Sequence, residues 1–512
     1  MSVNPSNPRR QNLIGIFGLP GSGKTHLLNQ LRRELEGGPF SFYEFEEVGQ
    51  TRPSNWFVND RAFESIRHEC DQSGVAGIAT ANYMLPDEDG YPPCEIILDD
   101  GCTNGPFTHI IYLNTPVEVV HRRCMDDAEK ELSWCSLDYF REWADEEIIG
   151  LKYACLDRKI MFTIVDPLDI SRIITLIHTI QLDRNEEHNQ GIVDKCIDEV
   201  VAPWQGHVEK VIVMDCDGIL TPNYEEQIFW GKYYFGDCAD VDEGHRQLPY
   251  KHPWCGFIAD DFDCRQSSLA YEQVAAEGRF DETCEKAASA ISLYPEIRSF
   301  LNRVSQCPRL RIIIVTSRLR LLWERVLAQE GLSHSIKVIG SGPLSNGYIV
   351  TPSVKERLVE RLRTVHKLQV WAFGGSGSPE KMLHRAHYSI ILHRPTNPHC
   401  NAEWLSSMAS TLKDSKDCID STTLHLRELE EPAFFDQLVQ HQFTLTHATH
   451  KGTAKLLHTK MLKTIYFPNH GLEEKVFHEA GWYIANEYIS ELRGLEEVSI
   501  ENPQVPKATG YQ

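Results

Sequence analysis

The segment Gly18-Leu-Pro-Gly-Ser-Gly-Lys24-Thr25 sits between a short apolar run, Leu13–Phe17, and a helical pattern, His26–Leu35. Few features constrain a chain more. It fits G-x-x-x-x-G-K-[ST] in the strand–loop–helix setting that the pattern requires. Glycines let backbone N–H groups turn inward around a phosphate, and the positive end of the helix dipole adds to the attraction. Gly18, Gly21, Ser22, Gly23, Lys24 and Thr25 then form a phosphate cradle. Lys24 would reach the β- and γ-phosphates of ATP, and the Thr25 hydroxyl would ligate Mg²⁺. The alternative is a glycine-rich turn with no ligand.

Beyond the loop, short β-type runs alternate with helical patterns. In a first block these runs are Leu13–Phe17, Gly77–Thr80, Ile96–Leu98, Ile110–Leu113 and Met161–Val165. Such alternation implies a parallel sheet with helices on both faces. The polar stretch Asp183–Gly191 reads as a linker. A second block opens with Val211–Met214 and resumes the alternation at Leu310–Val315, Ile336–Ile339, Val370–Phe373 and Tyr388–Leu392. An aromatic and acidic insertion, 223–290, interrupts it. Leu412–Thr422 reads as a second linker, and a mostly helical third block starts near Phe443, with an extended tail from Asn502. The expected fold class is α/β: two consecutive three-layer parallel-sheet domains, 1–185 and 195–435, with a mainly helical piece at 436–512.

Composition narrows the function classes. The balance of 51 Lys+Arg against 73 Asp+Glu gives a net charge of −22 over 512 residues. Affinity for nucleic acid comes largely from cationic contacts to phosphate, so no nucleic-acid partner is expected. An anionic membrane surface is disfavoured for the same reason, and no run approaches the ~20 apolar residues that cross a bilayer. The polar start and the 15 scattered cysteines without a C-x-x-C pair point to reduced thiols in a cytoplasmic protein whose partner is a small-molecule substrate.

The rest of the first block resembles the small-molecule and nucleoside-monophosphate kinase branch of P-loop proteins. The resemblance is carried by Ile111-Tyr-Leu-Asn-Thr-Pro-Val-Glu-Val-Val-His-Arg122-Arg123. It implies that Arg122 and Arg123 face the phosphates across a lid at Cys124–Ser136; solvated helix arginines are the alternative. The strand at Gly77–Thr80 ends in Ala81-Asn82 with no carboxylate. Asp99-Asp100 is the other candidate for a metal-binding acid, although a turn role suits it equally.

In the second block, Val211-Ile-Val-Met-Asp215-Cys-Asp217-Gly-Ile-Leu-Thr221 resembles the first motif of the haloacid-dehalogenase-like superfamily. The resemblance implies that Asp215 attacks a phosphoryl group and Asp217 serves as general acid and then base. A Mg²⁺ ion held by both would keep the two carboxylates ionised. Thr316, ending an apolar strand, matches the phosphate-binding hydroxyl. Lys355, at the start of a helical pattern, matches the lysine that neutralises phosphate and nucleophile. The insertion stands where a cap selects substrates. The fourth motif departs from the family: Gly375 and Pro379 occupy its two acidic positions, with Glu380 one place off, which should weaken Mg²⁺ binding. A weak phosphohydrolase, a phosphate-binding module and a catalytically silent domain all remain open.

The third block, with Leu445–His450 and Phe477–Glu487, resembles the N-terminal part of a uracil-phosphoribosyltransferase-like domain, truncated before any phosphoribosyl-pyrophosphate loop. Trp482 and Tyr483 read as packing aromatics, and His441, His447 and His450 as surface histidines. Together the three pieces resemble a fungal multidomain architecture. The leading expectation is an ATP- and Mg²⁺-dependent phosphotransferase acting on a nucleoside-type metabolite. A phosphomonoester hydrolase at Asp215/Asp217 and a catalytically impaired nucleotide sensor are the alternatives.

Overall fold

The computed structural model describes residues 11–44, 58–85, 94–95, 106–126, 132, 135–183, 186–204, 207–216, 219–222, 225–236, 260–375, 380–393, 407–408, 410–412, 418, 420–439, 497–502 and 505–511. Two parallel sheets organise them. The first uses β1 (Leu13–Phe17), β2 (Phe40–Tyr43), β3 (Ala76–Thr80), β6 (His109–Leu113) and β7 (Met161–Val165), in the order β2-β3-β1-β6-β7. A two-stranded ribbon, β4 (Met84–Leu85) with β5 (Cys94–Glu95), follows β3. The helices of this unit are α1 (Lys24–Glu34), α2 (Val58–Ser73), α3 (Val117–Asp126), α4 (Leu137–Asp157) and α5 (Ile170–Asp183). Strands β1, β3 and β6 are buried along their whole length, as strands covered on both faces must be. Their apolar runs are the ones visible in the sequence.

The second sheet has six parallel strands, in the order β10-β9-β8-β11-β12-β13. They are β8 (Lys210–Asp215), β9 (Leu310–Thr316), β10 (Ile336–Gly340), β11 (Gln369–Gly374), β12 (Tyr388–His393) and β13 (Asp420–His425). Its helices are α6 (Glu186–Val201), α7 (Glu225–Phe235), α8 (Asp261–Ala276), α9 (Phe280–Ser289), α10 (Pro295–Ser305), α11 (Arg320–Gln329), α12 (Pro352–Thr364), α13 (Glu380–Arg385) and α14 (Pro432–Val439). The expected α/β class with two parallel-sheet domains is what the chain adopts.

The described parts of both stretches read as linkers fall largely within regular elements. Residues 183–191 hold the end of α5 and the start of α6. Glu186 and Glu187 in the first turn of α6 complement the helix dipole. Asn189 is buried and exchanges hydrogen bonds with the Ile349 backbone, at 2.9 Å to the carbonyl and 2.8 Å from the N–H. Val193, Ile197 and Val201 then pack against the second sheet. Likewise Asp420–His425 is β13, in register with all of β12. Polarity misled the sequence reading in both places because these elements bury one narrow face.

The inserted helix α8 joins the two units. The Gln266 side-chain amide accepts from the Phe162 N–H at 2.8 Å and donates to the Phe162 carbonyl at 2.9 Å. It thereby satisfies backbone groups on the exposed edge of β7, as a neighbouring strand would. Asp260 caps α8 with a full capping box and also pairs with Lys159. A hydrophobic cluster spans the seam, combining Ile173 and Ile177 with Leu269, Leu344 and Ile349.

In the third block only an antiparallel pair is described, β14 (Glu497–Asn502) with β15 (Val505–Tyr511). The expected helix at Leu472–Arg493, with Trp482 and Tyr483, lies outside the described residues, as do His441, His447 and His450. Among the described residues, no helix is long and apolar enough to cross a membrane.

Candidate active site

Strand β8 is central in its sheet and carries Asp215 as its last residue, opposite Val315 of β9. Sheets of this kind place ligands at the carboxyl ends of their strands. The Cys216 N–H continues the ladder to the Val315 carbonyl at 3.1 Å, and Ile219 turns back onto the Cys216 carbonyl at 3.1 Å. Asp215 is fully buried. Its Oδ1 accepts a hydrogen bond from the Lys355 ammonium at 2.9 Å, and Lys355 is fully buried too. A buried carboxylate and a buried ammonium each cost several kcal/mol to desolvate, so each requires the other.

Local sequence explains how Lys355 gets there. Thr351 caps α12 by accepting from the Val354 N–H at 3.3 Å, and Pro352 takes the first helical position, where its missing N–H costs nothing. Lys355 therefore falls in the first turn of α12, a position where its backbone N–H bonds the Thr351 carbonyl at 2.9 Å. Thr316 ends β9, one residue past the partner of Asp215, and is fully buried; its Oγ1 accepts from the Arg318 N–H at 3.0 Å. Asp215, Thr316 and Lys355, far apart in sequence, thus converge at one end of the sheet. Asp217 lies outside the described residues, as do Pro379 and the side chain of Glu380.

Sequence reasoning missed three groups beside this site. Glu226, at the start of α7, is buried and ion-paired with Arg318, just past Thr316. It also accepts from the Tyr271 hydroxyl of α8 at 2.8 Å. Together they tie the inserted helices to the loop after β9. The available signal was an acidic pair, Glu225-Glu226, opening the aromatic helix α7, and both of its members are buried. Behind it, Phe229, Trp230, Tyr271 and Phe280 pack as a ring cluster with centroids 5.0–6.1 Å apart.

The residues offered to Mg²⁺ are few. Gly375 carries no donor, and a Cβ added there would lie 3.0 Å from Ile219 Cγ1. Among the described residues, no group of three or more His, Cys, Asp or Glu could hold a metal ion. Asp215 is the described carboxylate that could hold Mg²⁺ here; Asp217 and residues 376–379, the other positions to which the sequence resemblance points, lie outside the described residues.

The glycine loop of the first unit forms a separate constellation. Gly21 and Gly23 have φ of 83° and 104°, and a Cβ at Gly21 would meet Cys124 Sγ at 2.9 Å. The Lys24 ammonium donates to the carbonyls of Gly18 at 2.7 Å and Leu19 at 3.1 Å. The Thr115 hydroxyl, in the turn after β6, donates to the Ser22 carbonyl at 2.7 Å, and Arg123 donates to the Gly21 carbonyl at 3.1 Å. Arg123 thus reaches the loop, though like Arg122 and Thr25 it is exposed. Asp99 and Asp100 lie outside the described residues.

Comparison with known proteins bears on the second unit. Residues 212–378 match the haloacid dehalogenase-like hydrolase family. No curated protein matches the chain. Among solved structures, an apo phosphoserine phosphatase is 13% identical, covering 38% of this chain and 89% of its own, with a TM-score of 0.26. A substrate-bound phosphoserine phosphatase is 13% identical, covering 43% and 96%, with a TM-score of 0.28. The phosphoserine phosphatase of T. onnurineus is 16% identical, covering 41% and 96%, with a TM-score of 0.22. The family match takes in residues 212–215 of β8, ending on Asp215, together with Thr316 and Lys355, so residues 212–378 are a haloacid-dehalogenase-like domain within a longer chain.

Proposed function

We propose that the second unit is a phosphoester hydrolase in which Asp215 is the nucleophile. The observation that carries this reading is the buried Asp215–Lys355 contact of 2.9 Å at the carboxyl end of a central strand, within the segment matching the hydrolase family. Asp215 would attack phosphorus, forming an aspartyl-phosphate as the ester P–O bond breaks. The leaving oxygen takes a proton, a role that the sequence resemblance assigns to Asp217. Water then cleaves the acyl phosphate and releases inorganic phosphate, regenerating the carboxylate. Lys355 holds Asp215 ionised and offsets charge on the transferring group, while the Thr316 hydroxyl is placed to bond a phosphate oxygen. The test is release of phosphate from an aryl phosphate: the wild type should turn over and Asp215→Asn should lose at least about a thousandfold, as removal of an attacking group does. Undiminished release by Asp215→Asn would defeat the reading.

A second reading concerns the first unit. The convergence of Lys24, Arg123 and the positive-φ glycines on one loop favours binding of a polyphosphate such as ATP there. Transfer to a small acceptor would follow only if ATP consumption depends on an added metabolite. Calorimetry of ATP against wild type and Lys24→Ala tests the binding step, and equal affinity in the two would dismiss it.

A further inference from the structure

Helix α4 buries a stripe of Phe140, Trp143, Ala144, Glu147, Leu151 and Cys155. Five of these are apolar or sulfur-bearing core residues; the sixth is a carboxylic acid with no exposed surface. Neither Glu147 oxygen has a hydrogen-bond partner of ordinary geometry among the described residues. An acid in such a place is costly unless a charge or a ligand answers it. The cation acting on it is Lys24, the lysine of the glycine loop, and the Tyr83 backbone N–H beyond β3 also acts on it. The stripe that carries it packs in one cluster with Leu19 of the loop, Tyr83 beyond β3 and Cys124, whose thiol donates to the Pro20 carbonyl of the loop at 3.2 Å, so Glu147 lies against the loop from the side where β3 ends without an acid.

We infer that Glu147 completes the phosphate-binding loop as a neutral carboxylic acid, donating its O–H to a phosphate oxygen held beside Lys24. The inference rests on the reading of Gly18–Thr25 as a phosphate-binding loop and adds to it a residue and a protonation state. The alternative state, a carboxylate, would place a negative charge against the incoming phosphate in a site screened from water. A protonated carboxyl instead supplies a donor. Burial pushes Glu147 up to about 8, against the lowering pull of Lys24 and the Tyr83 N–H. Near neutral pH the acid form is therefore present before any ligand arrives. Above that value, binding takes up one proton from solution. The other titratable groups facing this spot are Lys24 from α1 and Tyr112 from β6, whose phenol is pushed far up by burial and stays neutral.

The experiment uses the full chain and ATP in excess EDTA, because the one phosphate ionisation that completes above pH 7 adds negative charge to ATP and so opposes the expected drop instead of imitating it. Wild-type affinity should fall about tenfold between pH 7 and pH 9, the drop expected for one proton taken up at a group titrating near 8. Glu147→Gln keeps a donor that cannot ionise, so it should bind as the wild type does at pH 7 and change less than about twofold by pH 9. Glu147→Leu, which packs but cannot donate, should bind about tenfold more weakly at pH 7, the value of one hydrogen bond to a charged group. A wild-type affinity that stays level, or a Glu147→Gln variant that keeps the full drop, overturns the role of Glu147. Absence of ATP binding in wild type and both variants, all folded by circular dichroism, instead overturns the phosphate-loop reading and Glu147 with it.

Discussion

Replacing Lys355 with Met removes one half of a pair whose other half has no route to water. At 2.9 Å and an effective dielectric of ~20, the Asp215–Lys355 attraction is about 6 kcal/mol. Most of that is offset by the cost of desolvating two fully buried ions, so the intact pair contributes little net stability. Removing one partner is different, because the other remains buried without its counter-ion; the expected loss is about 3–5 kcal/mol. The double variant Asp215→Asn/Lys355→Met strands no charge and should recover most of that loss. Urea unfolding followed by fluorescence of the buried Trp323 and Trp371, both in the second unit's core, reads the four members of this cycle. Phosphate release, measured alongside, should vanish in all three variants. A Lys355→Met loss below about 1 kcal/mol, the range of an exposed pair, would refute the claim that Asp215 is sealed from solvent.

Four further outcomes follow from the same geometry. Glu226→Gln should destabilise the inserted helices by about 3 kcal/mol, since Arg318 loses a buried partner, and Tyr271→Phe by about 1 kcal/mol for one neutral hydrogen bond; differential hydrogen exchange in α7 and α8 would localise both effects. Gly375→Asp should cost about 1–2 kcal/mol through its contact with Ile219, yet raise Mg²⁺-stimulated phosphate release, and Ile219→Val should relieve the cost; steady-state rates with and without the metal check this. The raised Glu147 value means that the folded chain binds a proton which the unfolded chain has released. Stability of the first unit should therefore fall as pH rises from the ordinary value of 4.5 toward about 8, and Glu147→Gln should flatten that slope in thermal melts. Gln266→Leu should leave the Phe162 N–H and carbonyl without partners and lower stability by about 2 kcal/mol, read by denaturant titration.

What could be read directly was what repeats or what is rare. Apolar strands such as Leu13–Phe17 and Leu310–Val315 announce themselves, because a strand covered on both faces has no polar positions to confuse the pattern. The glycine loop and Asp215 stood out for the same reason, each closing such a strand. Elements burying one thin face were harder. Helix α6 opens with Glu186, Glu187, His188 and Asn189, and it is tied to the second unit by the Asn189 amide on Ile349, by the narrow face of Val193, Ile197 and Val201, and by Asp194 and Asp198 paired with Arg357 and Arg361. Its polar start looked like a tether when it is a helix N-terminus. Strand β13 hides its role at the sheet edge behind Asp420, Ser421 and the two following threonines.

The missed site groups share a different cause. Glu147 and Glu226 are acids in helices rich in acids, and burial distinguishes them from their neighbours only once the helices are packed. Glu147 did leave a trace, since it falls on the stripe spaced from Phe140 to Cys155 while Asp145 and Glu146 do not. Arg318 follows Thr316-Ser317 as an unremarkable basic residue until α7 brings Glu226 against it. Such pairings join residues about ninety positions apart, and no local pattern encodes them.

The most direct test of the central claim is to trap the reaction. Wild type and Asp215→Asn would be mixed with an aryl phosphate, quenched in acid within the first turnovers, and mapped by peptide mass spectrometry. A phosphoryl group on the β8 peptide, localised to Asp215 and absent from the variant, is the result this account requires. Turnover with no adduct, or an adduct on another residue, would contradict Asp215 as the nucleophile.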